Sequence, residues 1–383
     1  MLQVGVGHSN DPDSRCAVAE VITQCRTSLG ENLPKAGILF AAIDFEHVLI
    51  LDEIQGAFPG IALIGGTTDG EMSSILEYQQ DSLTLMVFCS DEIEITTGIG
   101  RGVSKNPNLV TNAAVEQARL NITKEPKLCL TTPESLTTSG LGILNGLKQA
   151  LGTNFPIFGG LTGDRFNFKQ TYQFFNREVT SDSVPILLFA GDLIFSHGVC
   201  SGWKPVSKAA KVTKSQGNIV YEIDGKTAVD FYQNYLRGML PCCDYPLAVF
   251  ESGKDDFYIR EMNGTCNLEV GSISFFADVP ENAVVQIAEA TRDEIFVAVE
   301  SAISQALEMY SGEKATAALL FSCTARRNFL GTQTKTEYLK LKSHLSDISC
   351  CGFYTYGEIA PMQKNSESLY HNETFVVLLI GTR

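Results

Sequence analysis

The sequence predicts an α/β protein with mixed α+β character, in which repeated helix-strand-helix-strand-turn-strand units form sheets covered by helices. Two observations predict this class. A glycine turn that ends on an acid occurs three times, each time after an apolar run. The same order of helical and β-type segments precedes every turn, and a repeated order indicates duplication more strongly than a repeated glycine does.

The three turns share one pattern: an apolar run, glycine, a few small or aromatic residues, and then Gly-Glu or Gly-Asp. They are Ile61-Ala-Leu-Ile-Gly-Gly-Thr-Thr-Asp-Gly-Glu71, Pro156-Ile-Phe-Gly-Gly-Leu-Thr-Gly-Asp164 and Cys350-Cys-Gly-Phe-Tyr-Thr-Tyr-Gly-Glu358. A further apolar run follows each turn, at residues 83–88, 185–189 and 374–380. We interpret the three stretches as copies of one unit.

The segments that lead to each turn recur in the same order. Apolar residues three and four apart predict a first helix, at residues 18–29, 109–120 and 295–309. A β-type run follows, at residues 37–42, 128–132 and 317–323. A second helix is predicted at residues 47–57, 140–151 and 336–345. Units of this kind build sheets with helices packed on them.

The chain between the second and third units departs from the repeat. Residues 219–223 alternate like a half-exposed strand, Thr227 is suited to cap the next helix, and residues 246–289 alternate short β-type runs with turns. This stretch is predicted to be an antiparallel meander. A chain of 383 residues is expected to hold more than one core. We predict a two-part module, divided into residues 1–215 and 216–383.

Composition narrows the function classes. A hydrophobic content of 44% with 19% charged residues is typical of a folded, soluble protein, and the net charge of −15 argues against nucleic acid or an anionic membrane as the main partner. No apolar run approaches the roughly 18 residues of a membrane span, and the first residues lack a signal-peptide pattern. Eleven cysteines without a Cys-x-x-Cys pair indicate a reducing compartment. We therefore expect a cytoplasmic protein.

Seven short motifs follow one another along the chain. They are Gly65-Gly-Thr-Thr-Asp-Gly-Glu71, Phe158-Gly-Gly-Leu-Thr-Gly-Asp164, residues 198–205, Asp224-Gly-Lys-Thr-Ala228, Phe321-Ser-Cys-Thr-Ala-Arg326, Gly352-Phe-Tyr-Thr-Tyr-Gly-Glu358 and His371-Asn-Glu-Thr374. In this order they resemble the landmarks of the FIST sensory domain, with its N-terminal and C-terminal parts. The resemblance covers nearly the whole chain.

The resemblance implies a stand-alone bacterial signal-transduction module that binds a small ligand. FIST domains are often fused to, or encoded beside, kinases and cyclic-di-GMP enzymes. No such output domain occurs among these 383 residues, so we expect the signal to pass to a separate partner, such as a histidine kinase or a cyclic-di-GMP enzyme. The ligand implied is a small polar metabolite such as an amino acid.

The resemblance also implies an alternative, because some members are haem-binding nitric oxide sensors. Haem iron needs an axial ligand, and the chain offers His8, His47, His197, His344 and His371. His371 lies in the His-Asn-Glu-Thr motif and His197 precedes the stretch with the only tryptophan, so these two are the candidate haem ligands. A lone histidine is more often structural. Covalent haem is excluded, since there is no Cys-x-x-Cys-His site.

A second alternative is a cysteine-dependent enzyme. Cys323 lies near Arg326 and Arg327, and neighbouring cations lower the pKa of a thiol. His371 would then be the base, and Glu71 or Glu358 an acid. Against this, Cys323 ends an apolar run, which is typical of a buried inert cysteine, and hydrolase, metalloprotease and phosphate-loop signatures are missing. We expect a binding protein rather than an enzyme.

If the repeated units face each other, their turns converge on one cleft, which is the predicted ligand site. There Arg326 would bind a carboxylate or phosphate through two hydrogen bonds, Glu358 would accept from a ligand donor, and Tyr356 would supply a wall with a hydroxyl. The other candidates are His371, Cys323, Thr68, Asp69, Glu71 and Asp164. The acids after glycine are equally suited to cap backbone amides, so both roles remain open for them.

Overall fold

The structure is a computed structural model that describes residues 2–250, 256–345 and 347–382. The chain forms two compact units. The larger consists of Met1–Cys200, Val299–Tyr370 and Phe375–Arg383, and the smaller of Ser201–Ala298 and His371–Thr374. The predicted division at residues 215 and 216 refers to sequence domains, and it stays a prediction.

The helices and strands follow the predicted order. The first repeat contains β1 (Gln3–Ser9), α1 (Ser14–Leu29), β2 (Ala36–Ala41), α2 (His47–Ala57), β3 (Ala62–Thr67), β4 (Glu71–Ser73), β5 (Glu77–Gln79) and β6 (Leu83–Cys89). The second contains β7 (Ile93–Arg101), α3 (Pro107–Arg119), β8 (Pro126–Thr131), α4 (Gly140–Leu151), β9 (Ile157–Gly160), β10 (Gln173–Phe175), β11 (Glu178–Thr180) and β12 (Ser183–Gly191).

The third repeat is interrupted by the smaller unit. After β13 (Ile194–Cys200) come β14 (Lys204–Pro205), β15 (Ala210–Gln216), β16 (Ile219–Ile223), β17 (Lys226–Thr227), α5 (Ala228–Tyr235), β18 (Leu247–Phe250), β19 (Phe257–Arg260), β20 (Met262–Asn267), β21 (Ser272–Phe275) and β22 (Val284–Glu289). The repeat resumes with α6 (Arg292–Met309), β23 (Ala317–Cys323), α7 (Thr324–Leu330), a 3-10 turn (Gly331–Gln333), α8 (Thr334–Lys342), β24 (Ser349–Thr355), β25 (Glu358–Pro361), β26 (Ser368–His371) and β27 (Phe375–Gly381).

The three repeats form three six-stranded sheets of one design. Their strand orders are β1-β6-β2-β3-β10-β11, β7-β12-β8-β9-β25-β26 and β13-β27-β23-β24-β4-β5. The pairs β2-β3, β8-β9 and β23-β24 are parallel. Each sheet ends with a strand pair from another repeat, namely β10-β11, β25-β26 and β4-β5. Each repeat contributes this strand pair to a neighbouring sheet, and a glycine turn leads into each pair. The three glycine turns therefore lie close together.

The central strands of the sheets carry few charged residues and are almost completely buried, which is typical of strands covered on both faces. The inner faces of the three sheets share one core, to which Phe40, Phe158 and Phe353 contribute. The ring centroids of Phe40 and Phe353 are 4.3 Å apart. Helices α1 and α2 pack on the outer face of the first sheet, and α6 and α8 on that of the third. The predicted α/β class, with helix-covered sheets, is confirmed.

A glycine in the first strand of each sheet lets a helix lie close to that strand. The pairs are Gly7 with Val21, Gly100 with Val110, and Gly198 with Ala302. A Cβ atom at these glycines would lie 2.3, 2.1 and 1.8 Å from the carbonyl oxygen of the helix residue. No side chain fits at such distances. The recurrence of this contact is a second sign of the duplication.

The smaller unit contains the antiparallel segment predicted for the middle of the chain. Its strands pair in the order β19-β18-β22-β15-β16-β21-β20. Thr227 caps α5 as predicted, because its side chain accepts from the backbone amide of Asp230. Residues of α5, among them Tyr232, pack on the core of this unit. In the part of the chain that the structure describes, no helix has the length and apolarity needed to cross a membrane.

Candidate functional site

The three glycine turns meet in a ring of backbone hydrogen bonds, which we name the junction. The bonds run from Asp69 N to Tyr354 O (3.1 Å), from Tyr356 N to Leu161 O (3.2 Å) and from Gly163 N to Thr67 O (2.8 Å). Each bond joins the third residue of one turn to the first residue of a neighbouring turn. The turns therefore converge, as the repeated units predict, and Asp69, Gly163 and Tyr356 are equivalent positions.

A threonine in each turn contacts the first residue of the strand that follows. The contacts are Thr68 Oγ1 to Glu71 Oε1, Thr355 Oγ1 to Glu358 Oε1 (2.6 Å) and Gln173 Nε2 to Thr162 Oγ1 (3.0 Å). The position equivalent to Glu71 and Glu358 is therefore held by Gln173 and not by Asp164. The side chains of Glu71, Glu358 and Gln173 are fully buried, so they hold the turns in place through buried contacts.

Glu71 heads a chain of buried hydrogen bonds. Its Oε2 accepts from the backbone amide and the hydroxyl of Ser82, at 3.2 and 2.5 Å. The Ser82 hydroxyl is 2.8 Å from His8 Nε2, and His8 Nδ1 is 2.7 Å from the Ser73 hydroxyl. Burial raises the pKa of Glu71 to about 7 and lowers that of His8 to about 3. The histidine is therefore uncharged at neutral pH, and the carboxyl group takes up its proton at a higher pH than an exposed glutamate does.

The second turn carries an insertion, residues 164–171, which we name the strap. In the other two turns, a glycine follows the third residue, and its carbonyl oxygen accepts a hydrogen bond from the neighbouring turn. In the second turn, the equivalent hydrogen bond is accepted by Tyr172 O. Asp164 holds the strap, since its carboxylate accepts from the amides of Phe168 (2.9 Å), Lys169 (2.7 Å) and Gln170 (3.0 Å). The cap role that the sequence left open for Asp164 is thus realised.

The strap lies against the junction through Tyr356. The Tyr356 hydroxyl donates to Asp164 Oδ1 (2.6 Å) and accepts from the Phe166 amide (2.7 Å), while the Phe168 ring stacks on Tyr356 at 4.9 Å. Arg165, Phe166 and Phe168 have φ angles of 58°, 58° and 49°, which are unfavourable for side chains of this size. Outside the turn, Arg165 pairs with Asp44 and Asp81. Side-chain contacts therefore hold a strained segment over the junction.

Asp69 and Arg327 form an incomplete buried group at the junction. Asp69 Oδ2 accepts from the Thr324 hydroxyl and lies 3.5 Å from Arg327 Nη2. Burial lowers the pKa of Arg327, but the nearby Tyr78 and Asp69 raise it more, so that it stands above its ordinary value. Asp69 Oδ1 and Arg327 Nε are both buried and have no hydrogen-bond partner within the described residues. Burial raises the pKa of Asp69, against the opposing effects of Thr324, Arg327 and the backbone amide of Arg165.

Arg326, the first candidate from the sequence, does not belong to this group, because it is hydrogen-bonded to a partner of its own, Glu337. Its Nε and Nη2 donate to Glu337 Oε1, at 2.9 and 2.7 Å, and both side chains are fully buried. Glu337 Oε2 accepts from the hydroxyls of Tyr354 and Ser322. In this position Arg326 supports the third sheet, and its neighbour Arg327 faces Asp69.

The remaining candidates are Cys323, His371 and His197. Cys323 is the buried residue before α7. His371 belongs to the smaller unit and His197 to the larger. His197 lines a cavity that shares no residue with the junction. Among the described residues, no group of three or more His, Cys, Asp or Glu side chains is arranged to hold a metal ion.

Sequence reasoning missed three features of the junction. It considered Arg327 only as a neighbour of Cys323, and it passed over Thr324 and Gln173. The extra residues between Gly163 and Gln173 were the one signal that was available, because the other turns reach their acid two residues after the equivalent position. Recognising them as an insertion would have identified both the strap and the glutamine.

Comparisons with known proteins agree with the motif order. The FIST N domain matches residues 35–226 and the FIST C domain matches residues 228–361. An uncharacterized protein of Methanocaldococcus jannaschii is 24% identical over 378 residues, which cover 86% of this chain and 72% of that protein. An uncharacterized protein of Mycobacterium tuberculosis is 24% identical over 384 residues, covering 94% and 95%.

One solved structure spans the whole length of both chains. It is a cyanuric acid hydrolase from A. caulinodans, with 10% sequence identity, 100% coverage of each chain and a TM-score of 0.38. At this TM-score no conclusion about function follows.

Proposed function

This chain belongs to the FIST family, whose domains are associated with sensory signal transduction, and we propose that it senses a small polar metabolite at the junction. One observation carries the proposal. Asp69 Oδ1 and Arg327 Nε are buried and lack partners within the described residues, and the two side chains approach each other to 3.5 Å through other atoms. A buried polar atom without a partner costs about 1 to 3 kcal/mol, and a ligand that bonded to both atoms would remove this cost.

The two open atoms indicate the ligand class. A carboxylate accepts from an ammonium group, and a guanidinium donates to a carboxylate or phosphate. A small zwitterion, such as an amino acid, satisfies both at once. Arg327 here takes the role that the sequence suggested for Arg326, because Arg326 is engaged with Glu337.

The remaining junction residues have supporting roles in this proposal. Tyr356 forms the wall beside Asp69, and Asp164 holds the strap that covers it. Thr68, Glu71 and Glu358 hold the glycine turns in place through buried hydrogen bonds. Binding would alter the contacts of the strap, which provides a route to the surface. The receiver would be a separate cytoplasmic partner, such as a histidine kinase or a cyclic-di-GMP enzyme.

The test is isothermal titration calorimetry with a panel of the common amino acids. We expect at least one to bind, and Asp69→Asn and Arg327→Gln each to weaken its binding about a hundredfold, since a hydrogen bond to a charged group contributes about 1.5 to 3 kcal/mol. Asp52→Asn and Arg119→Gln, at exposed positions, are the matched controls. Unchanged binding in both junction variants, or no binding by the wild type, would reject the proposal.

Two other outcomes would redirect it. A Soret band in protein purified from cells, abolished by His371→Ala or His197→Ala, would replace the metabolite sensor by a haem sensor. Turnover of a bound metabolite that Cys323→Ala abolishes would indicate an enzyme. The burial of Cys323 disfavours the second outcome, since a reactive thiol needs access to its substrate.

A further inference from the structure

The strap is held over the junction by contacts of three kinds. The Asp164 carboxylate accepts from the backbone amides of residues 168–170, and the Tyr356 hydroxyl accepts from the amide of Phe166. Asp164 is only 2% exposed, so ions in solution have little access to it. The third kind consists of the ion pairs of Arg165, and these lie at the surface.

The guanidinium group of Arg165 joins the strap to two loops of the first repeat. Its Nη2 pairs with Asp44 Oδ2, in the loop after β2, and its Nη1 pairs with Asp81 Oδ1 at 2.5 Å, just before β6. A guanidinium presents several N-H donors in one plane, so it can bind two carboxylates at once. Arg165 follows Gly163 by two residues, and Gly163 donates to Thr67 O in the junction. Release of Arg165 therefore frees the part of the strap that lies next to the junction.

Solvent and ions have access to both ion pairs. The side chains of Arg165, Asp44 and Asp81 are 25%, 70% and 55% exposed, and all three line a cavity of about 430 Å³. Exposed ion pairs are weak, and salt weakens them further, because mobile ions screen the charges. The ion pairs of Arg165 are therefore the contacts of the strap that respond most to the ionic surroundings.

Backbone strain in the strap opposes these contacts. The φ angles of Arg165, Phe166 and Phe168 are 58°, 58° and 49°, and a left-handed backbone is unfavourable for residues that carry a side chain. Opening of the strap lets these residues leave that conformation, whereas closure depends on the side-chain contacts. A strained segment held in part by weak ion pairs opens more often when the ion pairs are lost.

We propose that the ion pairs of Arg165 with Asp44 and Asp81, which we name the latch, set how often the strap uncovers the junction. Both pairs are formed in the closed state, and loss of the pairs shifts the strap toward a state in which Asp69 is accessible. That the uncovered junction then receives a ligand rests on the proposed function. The latch itself follows from the contacts of the strap, and it is tested without a ligand.

The experiment is hydrogen-deuterium exchange of the unliganded full chain. It follows the backbone amides of residues 166–170, each of which donates a hydrogen bond in the closed strap. We expect Asp81→Asn to speed their exchange about threefold, and Asp44→Asn combined with Asp81→Asn about tenfold. Glu53→Gln is the matched control, because it removes an exposed ion pair with Arg15 of the same 2.5 Å length, and it should leave the strap unchanged.

Salt supplies a second measurement, which on the wild type does not depend on the folding of a variant. Raising NaCl from about 0.05 M to about 1 M should speed exchange in the wild-type strap about threefold and should not change it further in the double variant.

Equal strap exchange in the wild type and the double variant would overturn the proposal, and so would a salt effect that persists in the double variant. Faster exchange that extends equally to the amides of β2 would indicate a general loss of stability and would also overturn it. No ligand is present in these measurements, whereas the proposed function is tested by calorimetry, so failure of the one is distinguishable from failure of the other.

Discussion

Two consecutive arginines of one short helix have opposite surroundings. Arg326 is completely buried, and two of its nitrogens donate to Glu337 at 2.9 and 2.7 Å. Arg327 approaches Asp69 only to 3.5 Å, and its Nε lacks a partner within the described residues. The side chain of Arg327 keeps 15% of its surface exposed, against 0% for Arg326. Arg326 thus has its hydrogen-bond partner in Glu337, whereas the group of Arg327 and Asp69 contains atoms without a partner.

The difference indicates which of the two networks supports the fold and which is available for binding. A buried ion pair with satisfied partners tolerates no change on one side, since removal of one partner leaves an uncompensated charge. A buried polar atom without a partner destabilises the unliganded protein, and a ligand that supplies the missing partner removes this cost. The Arg326 network is therefore structural, and the Arg327 group is the candidate for recognition.

The largest expected effect is the loss of the structural network. Arg326→Met leaves the Glu337 carboxylate buried without its cation, and we expect the free energy of unfolding to fall by about 3 to 5 kcal/mol. Arg327→Met is the matched control. It removes a contact at the limit of hydrogen-bond distance, so a change below about 1 kcal/mol is expected. Urea denaturation followed by circular dichroism measures both.

Equal destabilisation by the two substitutions would remove the distinction between the two regions. A double variant tests whether the loss of stability comes from the unpaired charge of Glu337. In Arg326→Met with Glu337→Leu, both charges are absent, and stability is expected to recover in part, because an apolar pair of similar volume often replaces a buried ion pair without loss.

The sequence predicted the repeat much better than the side chains that define the site. The helices predicted at residues 47–57 and 140–151 have the observed bounds of α2 and α4, because apolar periodicity and flanking glycines are local signals. The choice between Arg326 and Arg327 is not local. It depends on how α7 is rotated on β23, and the partners Asp69 and Glu337 come from different parts of the chain.

A similar limit applies to the third acid of the turns. Asp164 follows its glycine as Glu71 and Glu358 do, and the pattern alone assigns it to the same place. The strap shifts the equivalent position to Gln173, and only the contacts of Thr162 and Ser183 reveal this. An insertion within a repeat cannot be aligned without knowing which hydrogen bonds persist.

The next expected effect concerns Glu71 and depends on pH. Burial raises the pKa of Glu71 from 4.5 to about 7, so the folded state binds more protons than the unfolded state between these values. The free energy of unfolding therefore falls as the pH rises through this window, by about 3 kcal/mol for this group. Glu71→Gln lacks the titration, and its stability relative to wild type is expected to increase by that amount between pH 4.5 and pH 8.

The substitution has a natural precedent in the second repeat. Gln173 occupies the equivalent position and accepts from the amide and hydroxyl of Ser183, as Glu71 does from Ser82. Gln173→Glu is the reciprocal variant, and it should introduce a pH dependence of the same sign. Urea midpoints at the two pH values give the comparison, and a difference between Glu71→Gln and wild type that stays constant with pH would contradict the expectation.

The smallest expected change in stability is in the strap, where two effects oppose each other. Phe168→Gly relieves a left-handed backbone conformation, worth about 1 to 2 kcal/mol, and loses the stacking on Tyr356, worth about 0.5 to 1.5 kcal/mol. The free energy of unfolding should stay within about 1 kcal/mol of wild type. Without the aromatic contact, however, the amides of residues 168–170 should exchange with solvent faster, as measured by hydrogen-deuterium exchange.

A control at another left-handed residue separates strain from contact. Asn282, with a φ angle of 71°, lies in the smaller unit, and Asn282→Gly should relieve strain without changing exchange in the strap. If Phe168→Gly left strap exchange unchanged, the Asp164 carboxylate alone would suffice to hold the segment. If it instead destabilised the fold by several kcal/mol, the strap would belong with the Arg326 network, as part of the structure rather than as a cover over the open group at Asp69.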